Sequence, residues 1–188
     1  MNKTGKKLIT IGKFILLTAL SIIIAASVIT TGCSDHDHQH NEPSENGTAG
    51  NKPAPNFTVQ NVKGEKTELA DLSGKPIVLN FWATWCSPCQ RELPAFDKMY
   101  KVYGEKVQFL MVNVDGGGTA PQEIQQSMES AGFSFPLYFD LTNSAAAAYR
   151  VASIPISFFI DANGNIISSH LGSMSEKQLE NEINKLLP

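Results

Sequence analysis

Six consecutive residues, Ile77-Val78-Leu79-Asn80-Phe81-Trp82, leave this chain little freedom in what it can become. A nearly continuous apolar run of that length reads as a strand covered on both faces, as in parallel sheets. Ala83-Thr84-Trp85-Cys86-Ser87-Pro88-Cys89 follows directly. Cys89, Leu93, Phe96, Tyr100 and Tyr103 then fall on one helical stripe, which Gly104 closes. A buried strand running straight into a helix calls for a layered α/β arrangement. It also puts two cysteines where the helix begins.

The remaining elements follow from similar punctuation. Phe57–Val62 and Glu65–Leu69 around Gly64 predict a short leading hairpin, and Val107–Val114 predicts a second buried strand. Gly116-Gly117-Gly118 lacks the Lys and Ser/Thr of a phosphate cradle and reads as a turn. Thr119 with Gln122, and Pro121 in the first turn, predict a helix to about Ala131. Ser144–Tyr149 is a further short helix. Ile156–Ile160 and Ile166–Leu171 flank Asp161-Ala162-Asn163-Gly164-Asn165 as an antiparallel hairpin. Ser175 with Gln178 caps a last helix that lines up Leu179, Ile183 and Leu186. Alternating strands and helices, then a hairpin and a closing helix, give an α/β domain with a mixed sheet.

The position of the cysteine pair matters more than its C-x-x-C spacing. At a helix start the unpaired N–H groups and the positive dipole end favour a thiolate. Cys86, the outermost, is therefore the expected nucleophile, with a lowered pKa. Cys89, three residues on and turned inward, can attack a mixed disulfide at Cys86 and release the reduced substrate. Pro88 has no N–H to leave unpaired there. Two other uses of the pair are weaker. Structural zinc wants about four ligands, and outside the pair the chain offers only His170 and three tail histidines. An inert disulfide would close too small a loop to constrain the unfolded chain much.

Glu92 stands three residues after Cys89, beside Leu93 and Phe96. On a buried flank its carboxyl would lose solvation and rise in pKa, so that it could exchange a proton with Cys89. On an open flank it would be a first-turn glutamate favoured by the dipole. Spacing leaves both roles open. Pro94 should kink the helix just beyond. Ile154-Pro155 directly precedes a strand, and any X–Pro bond can be cis.

The amino end is of another kind. Fifteen Lys and Arg against 18 Asp and Glu give a net −3, which excludes a basic field for nucleic acid. Lys3, Lys6, Lys7 and Lys13 precede an almost unbroken apolar run of 19 residues, Phe14–Gly32, leaving 11 basic against 18 acidic residues for the rest. A cationic flank beside such a run is what an export signal or membrane anchor needs. Thr30-Thr31-Gly32-Cys33 resembles a bacterial lipoprotein signal, which implies lipidation of Cys33 and accounts for the odd cysteine. The alternative is an uncleaved helix, since 19 residues at about 1.5 Å each nearly cross a bilayer core. Residues 1–33 are thus expected to be the signal or anchor. Residues 34–52 are expected to form a flexible tether without hydrophobic period, and 53–188 the folded domain. Within the tether His36, His38 and His40 alternate with Asp35, Asp37 and Gln39 and are weak candidates for Zn²⁺ or Cu²⁺.

Taken together, the strand Ile77–Trp82, Trp85-Cys86-Ser87-Pro88-Cys89, Glu92, Pro94 and Ile154-Pro155 resemble the thioredoxin superfamily. More narrowly, they are similar to the membrane-tethered TlpA/ResA-type thiol-disulfide reductases, from about Pro53 to the carboxyl end. The resemblance implies a thioredoxin fold with an amino-terminal hairpin and a central insertion at about Gly117–Tyr138. It implies a cis Pro155 facing the cysteines, and substrate binding by Trp85, Ile154 and Pro155, with Ile154 offering its backbone to an extended chain. It assigns Cys86 as nucleophile, Cys89 as resolving thiol and Glu92 as proton shuttle. Asn80 stands where cytoplasmic thioredoxins carry a buried aspartate, and Ser87 departs from several relatives between the cysteines. The peroxiredoxin cysteine motif, with a threonine ahead of the reactive residue, is absent. The expected cofactor is none beyond the redox-active Cys86–Cys89 disulfide. The partners implied are disulfide-containing exported proteins, such as apocytochrome c, and a transmembrane thiol relay that returns electrons. A disulfide-forming oxidase could use the same motif, and a metal-binding module could use the histidines with the cysteine pair.

Overall fold

A computed structural model describes residues 48–188 of the chain. The elements follow in the order β1 (Thr48–Pro53), β2 (Thr58–Gln60), β3 (Lys66–Glu68), β4 (Ile77–Trp82), α1 (Ser87–Tyr103), β5 (Gln108–Asn113), α2 (Pro121–Ser130), β6 (Leu137–Phe139), α3 (Ser144–Ala148), β7 (Ile156–Ile160), β8 (Asn165–Leu171) and α4 (Glu176–Leu186). The strands form one mixed sheet in the order β1-β8-β7-β4-β5-β6-β2-β3. β4, β5 and β6 run parallel, and β7 returns antiparallel against β4. The expected α/β thioredoxin fold with its leading hairpin is present: Thr58–Gln60 pairs with Lys66–Glu68 in register.

β4 is the centre. All six of its residues are buried, so the apolar run marked a strand covered by helices on one face and by other packed segments on the opposite face. α1 begins beyond it and lays Cys89, Leu93 and Phe96 into the core, while Tyr100 and Tyr103 are partly buried at its edge. α4 packs against α1 through Leu179, Ile183 and Leu186. Each buried side chain of this size contributes about 1.5–3 kcal/mol. The Ser175–Gln178 capping box that starts α4 is complete.

Several expectations need correction. The helix at Pro121 is capped by Ala120, without a side-chain hydrogen bond, so Thr119 lies one residue too early. Proline at the first helical position pushes its predecessor into extended backbone, and that residue becomes the cap. Gly104 does end α1 but in right-handed backbone. Its need is space: a Cβ there would lie 2.6 Å from the Tyr100 carbonyl oxygen. Pro94 sits on the exposed side of an α1 that continues through it as helix. The expected insertion at about Gly117–Tyr138 holds α2 and runs into β6, which extends the sheet beyond β5. Residues 48–52, read as the end of the tether, belong to β1, which pairs with the β8 edge. Such an edge strand needs only backbone groups, so its polar sequence gave no hydrophobic signal.

The apolar run Phe14–Gly32, Cys33 and the histidines His36, His38 and His40 lie outside the described residues. Among the described residues, no helix is long and apolar enough to cross a membrane.

Candidate active site

The loop between β4 and α1 is held before the cysteines are reached. Thr84 donates both its N–H, at 2.8 Å, and its hydroxyl to the Asp115 carboxylate, which stands just past the end of β5. Asn113 fixes that carboxylate in turn, donating from Nδ2 at 3.2 Å and accepting the Asp115 N–H at 3.1 Å. From the α1 side, the Gln90 side chain donates to the Thr84 carbonyl. With the loop clamped on two sides, Trp85 is pushed outward and is 69% exposed.

Cys86 is the N-cap of α1. Its Sγ accepts the Cys89 backbone N–H at 3.2 Å, the place a serine or aspartate oxygen takes in other helices. Negative charge on this sulfur faces donors that have no intrahelical partner. The two cysteines are joined as a disulfide with Cα atoms 5.3 Å apart, so the site is in its oxidised form. Cys89 is fully buried and Cys86 nearly so. The Ile154–Pro155 peptide is cis. The Ile154 carbonyl oxygen lies 3.8 Å from Cys86 Sγ, which brings residues 68 positions apart in sequence to one point. Ile154 is half-buried and Pro155 buried.

Between Trp85 and Ile154 the surface opens into a groove of about 380 Å³, walled by Val114, Ala146 and Val151. Its lining carries no charged side chain. A polypeptide laid here would meet apolar walls and a backbone edge beside the reactive sulfur.

One turn below the cysteines lies Glu92, only 1% exposed. Its carboxylate accepts from Asn80 Nδ2 at 2.9 Å and from the Met174 backbone N–H at 2.9 Å. Burial pushes its pKa up from 4.5 to about 7, against the pull of those two hydrogen bonds. The spacing had left Glu92 between a buried and an exposed flank, and the structure places it on the buried one. A carboxyl that titrates near neutrality can both take and return a proton.

A family model described as AhpC/TSA family matches residues 51–169, well over half of the chain. The chain belongs to the AhpC/TSA family. Within that family it is similar to the thiol-disulfide oxidoreductase ResA of Bacillus thuringiensis (strain Al Hakam), with 36% identity over 138 residues. That stretch covers 73% of this chain and 78% of the relative. The crystal structure of a thiol:disulfide interchange protein from Chlorobium tepidum TLS superposes with a TM-score of 0.64 at 28% identity, covering 73% of this chain and 97% of that one. The pneumococcal exposed lipoprotein thioredoxin from Streptococcus pneumoniae strain TIGR4 superposes at 0.59 and 27%, covering 70% and 99%. This AhpC/TSA member is a thiol-disulfide oxidoreductase of the TlpA/ResA type, and Cys86–Cys89 is its cysteine pair.

The structure thus gathers Trp85, Cys86, Cys89, Glu92, Ile154 and Pro155 around one end of β4. His170, the one described histidine, is on β8, opposite Ser157 in register. Among the described residues no cluster of three or more metal-ligating side chains occurs. Sequence reasoning missed Asp115, Gln90, Ser157 and the Met174 N–H. Asp115 carried a faint signal, as a lone acid at the end of a buried strand. The others act through contacts made only in the folded chain.

Proposed function

We propose that this oxidoreductase works outside the plasma membrane, tethered through its amino end, and reduces disulfides in exported proteins. The observation that carries the chemistry is the stacking of three groups on α1: a sulfur at the cap, a buried sulfur behind it, and a buried acid beneath. The Cys86 thiolate attacks a substrate disulfide, forming a mixed disulfide and expelling one substrate thiolate. Cys89 gives its proton to Glu92 and attacks the Cys86 sulfur, and the second substrate thiolate leaves. Two electrons pass from the dithiol to the substrate, and the Cys86–Cys89 disulfide remains. A thiol relay across the membrane would restore the dithiol, and apocytochrome c is the class of client that the ResA likeness favours.

The outside location rests on the basic flank, the apolar run and Cys33, supported by the likeness to an exposed lipoprotein thioredoxin. Direction is set by potential. Equilibration against glutathione or dithiothreitol is expected to give a value nearer thioredoxin's, about −270 mV, than DsbA's, about −120 mV. A value at the oxidising end would make the enzyme an oxidase. Cys86→Ser is expected to abolish insulin reduction, and Cys89→Ala to accumulate mixed disulfides with client proteins. Reduction at the wild-type rate by Cys86→Ser would end this reading.

A further inference from the structure

Glu92 sits in an apolar layer, yet each of its oxygens has a donor. One donor is a backbone N–H. The other is Asn80, and its geometry is unusual. Asn80 Nδ2 donates to Glu92 Oε1 at 2.9 Å and to Ser157 Oγ at 3.0 Å, which uses both of its hydrogens. Asn80 and Ser157 are direct partners across β4 and β7, and both are fully buried. The Asn80 amide oxygen has no hydrogen-bond partner among the described residues.

That orphaned oxygen shows what the amide is held for. Turned over, the amide would set its oxygen against the carboxylate and place both N–H groups in the vacant position, leaving two donors unpaired instead of one acceptor. Each unsatisfied buried group costs about 1–3 kcal/mol, and the flipped oxygen would face the carboxylate, so one orientation is selected, in which Ser157 Oγ takes the second N–H. In that orientation a donor faces Glu92, and a donor stabilises the ionised carboxyl more than the neutral one.

We propose that Asn80, its second N–H held by Ser157, is a positioning residue that keeps the buried Glu92 ionised often enough to accept the Cys89 proton at neutral pH. This rests on the proton-transfer role given to Glu92 above. The charged and titratable groups on the neighbouring elements have partners other than Glu92, although His170 lies opposite Ser157 in register. Lys98 of α1 pairs with Glu176 of α4 in the open, Glu180 of α4 faces Tyr103, and His170 of β8 acts on Glu182. The influences on Glu92 are burial, Met174 N–H and Asn80, in that order.

The test isolates the second thiol step. The reduced domain is mixed with 5,5′-dithiobis(2-nitrobenzoate), which loads Cys86. Release of the second thionitrobenzoate by Cys89 is then followed from pH 5 to 10. In wild type this release should rise through a limb near neutrality, and Glu92→Gln should remove the limb. Asn80→Leu should move the limb upward by about one pH unit, slowing release at pH 7 about fivefold with recovery at alkaline pH. Ser157→Ala should move it the same way by less. Adding Asn80→Leu to Glu92→Gln should change nothing further. Asn80→Asp keeps the side-chain outline should the leucine variant fail to fold, and it too should shift the limb upward, because two carboxyls would then face each other. A limb that stays in place in the Asn80 and Ser157 variants but vanishes in Glu92→Gln overturns the brace and leaves the Glu92 role standing. A limb unaffected by Glu92→Gln overturns both.

Discussion

The two faces of β4 are equally buried and do different work. Ile77, Leu79 and Phe81 point into a layer with Phe57, Leu110 and Tyr149 that is apolar and aromatic. Phe81 and Phe158 pack on Tyr149 with ring centroids 5.6 and 4.8 Å away. On the opposite face Val78 and Trp82 meet Cys86, Cys89, Leu93 and Phe96. Asn80 lies between them in the alternation, hydrogen-bonded to Glu92 of α1. The first face buys stability; the second accepts a buried acid and a strand asparagine because chemistry is placed there. Burial alone therefore does not say what a residue contributes.

Mutations can separate the faces. Phe81→Ala, on the apolar face, should cost about 3–5 kcal/mol of unfolding free energy by chemical denaturation. Its turnover per folded molecule should be unchanged, and a selective loss of turnover would mean that the faces are coupled. Glu92→Gln should show the opposite pattern, with a pH-dependent stability. The folded carboxyl titrates at about 7 and the unfolded one near 4.5, so the fold prefers the protonated form. That preference is whole below pH 4.5 and is lost as the pH rises to 7. The variant escapes the loss, and its stability relative to wild type should climb by about 3 kcal/mol between pH 4 and 8. A flat difference would place the glutamate in solvent.

The smallest effect belongs to Tyr149→Phe. The Tyr149 hydroxyl is buried, and it has no hydrogen-bond partner among the described residues. Burial holds its pKa well above the usual tyrosine value. Removing it should leave stability within about 1 kcal/mol of wild type or raise it. A larger loss would reveal a partner for the hydroxyl.

The same contrast explains what could be read from the sequence. The apolar face and the helix stripes announced themselves, because burial against a regular element imposes a period of 2 or 3.6 residues on the side chains. Cys86 and Cys89 were legible because a helix start gives sulfur a distinct chemistry wherever it occurs. Pro155 and Ile154 came from the family resemblance, since an Ile-Pro pair alone says nothing of a contact 68 residues away. Three-residue β6 lacks the length for a period, and β1 pairs through backbone that carries no side-chain pattern. Ser157 looked like an ordinary strand residue. Its contact with Asn80 appears only when β7 lies beside β4.

The central claim is that the start of α1 makes two similar thiols unequal. Iodoacetamide labelling of the reduced domain across pH, resolved by peptide mass, measures that directly. The account predicts rapid labelling at Cys86 with an apparent pKa clearly below the roughly 8.5 of an ordinary thiol, while Cys89 stays almost unlabelled. Equal labelling of both cysteines, each rising near 8.5, would contradict it.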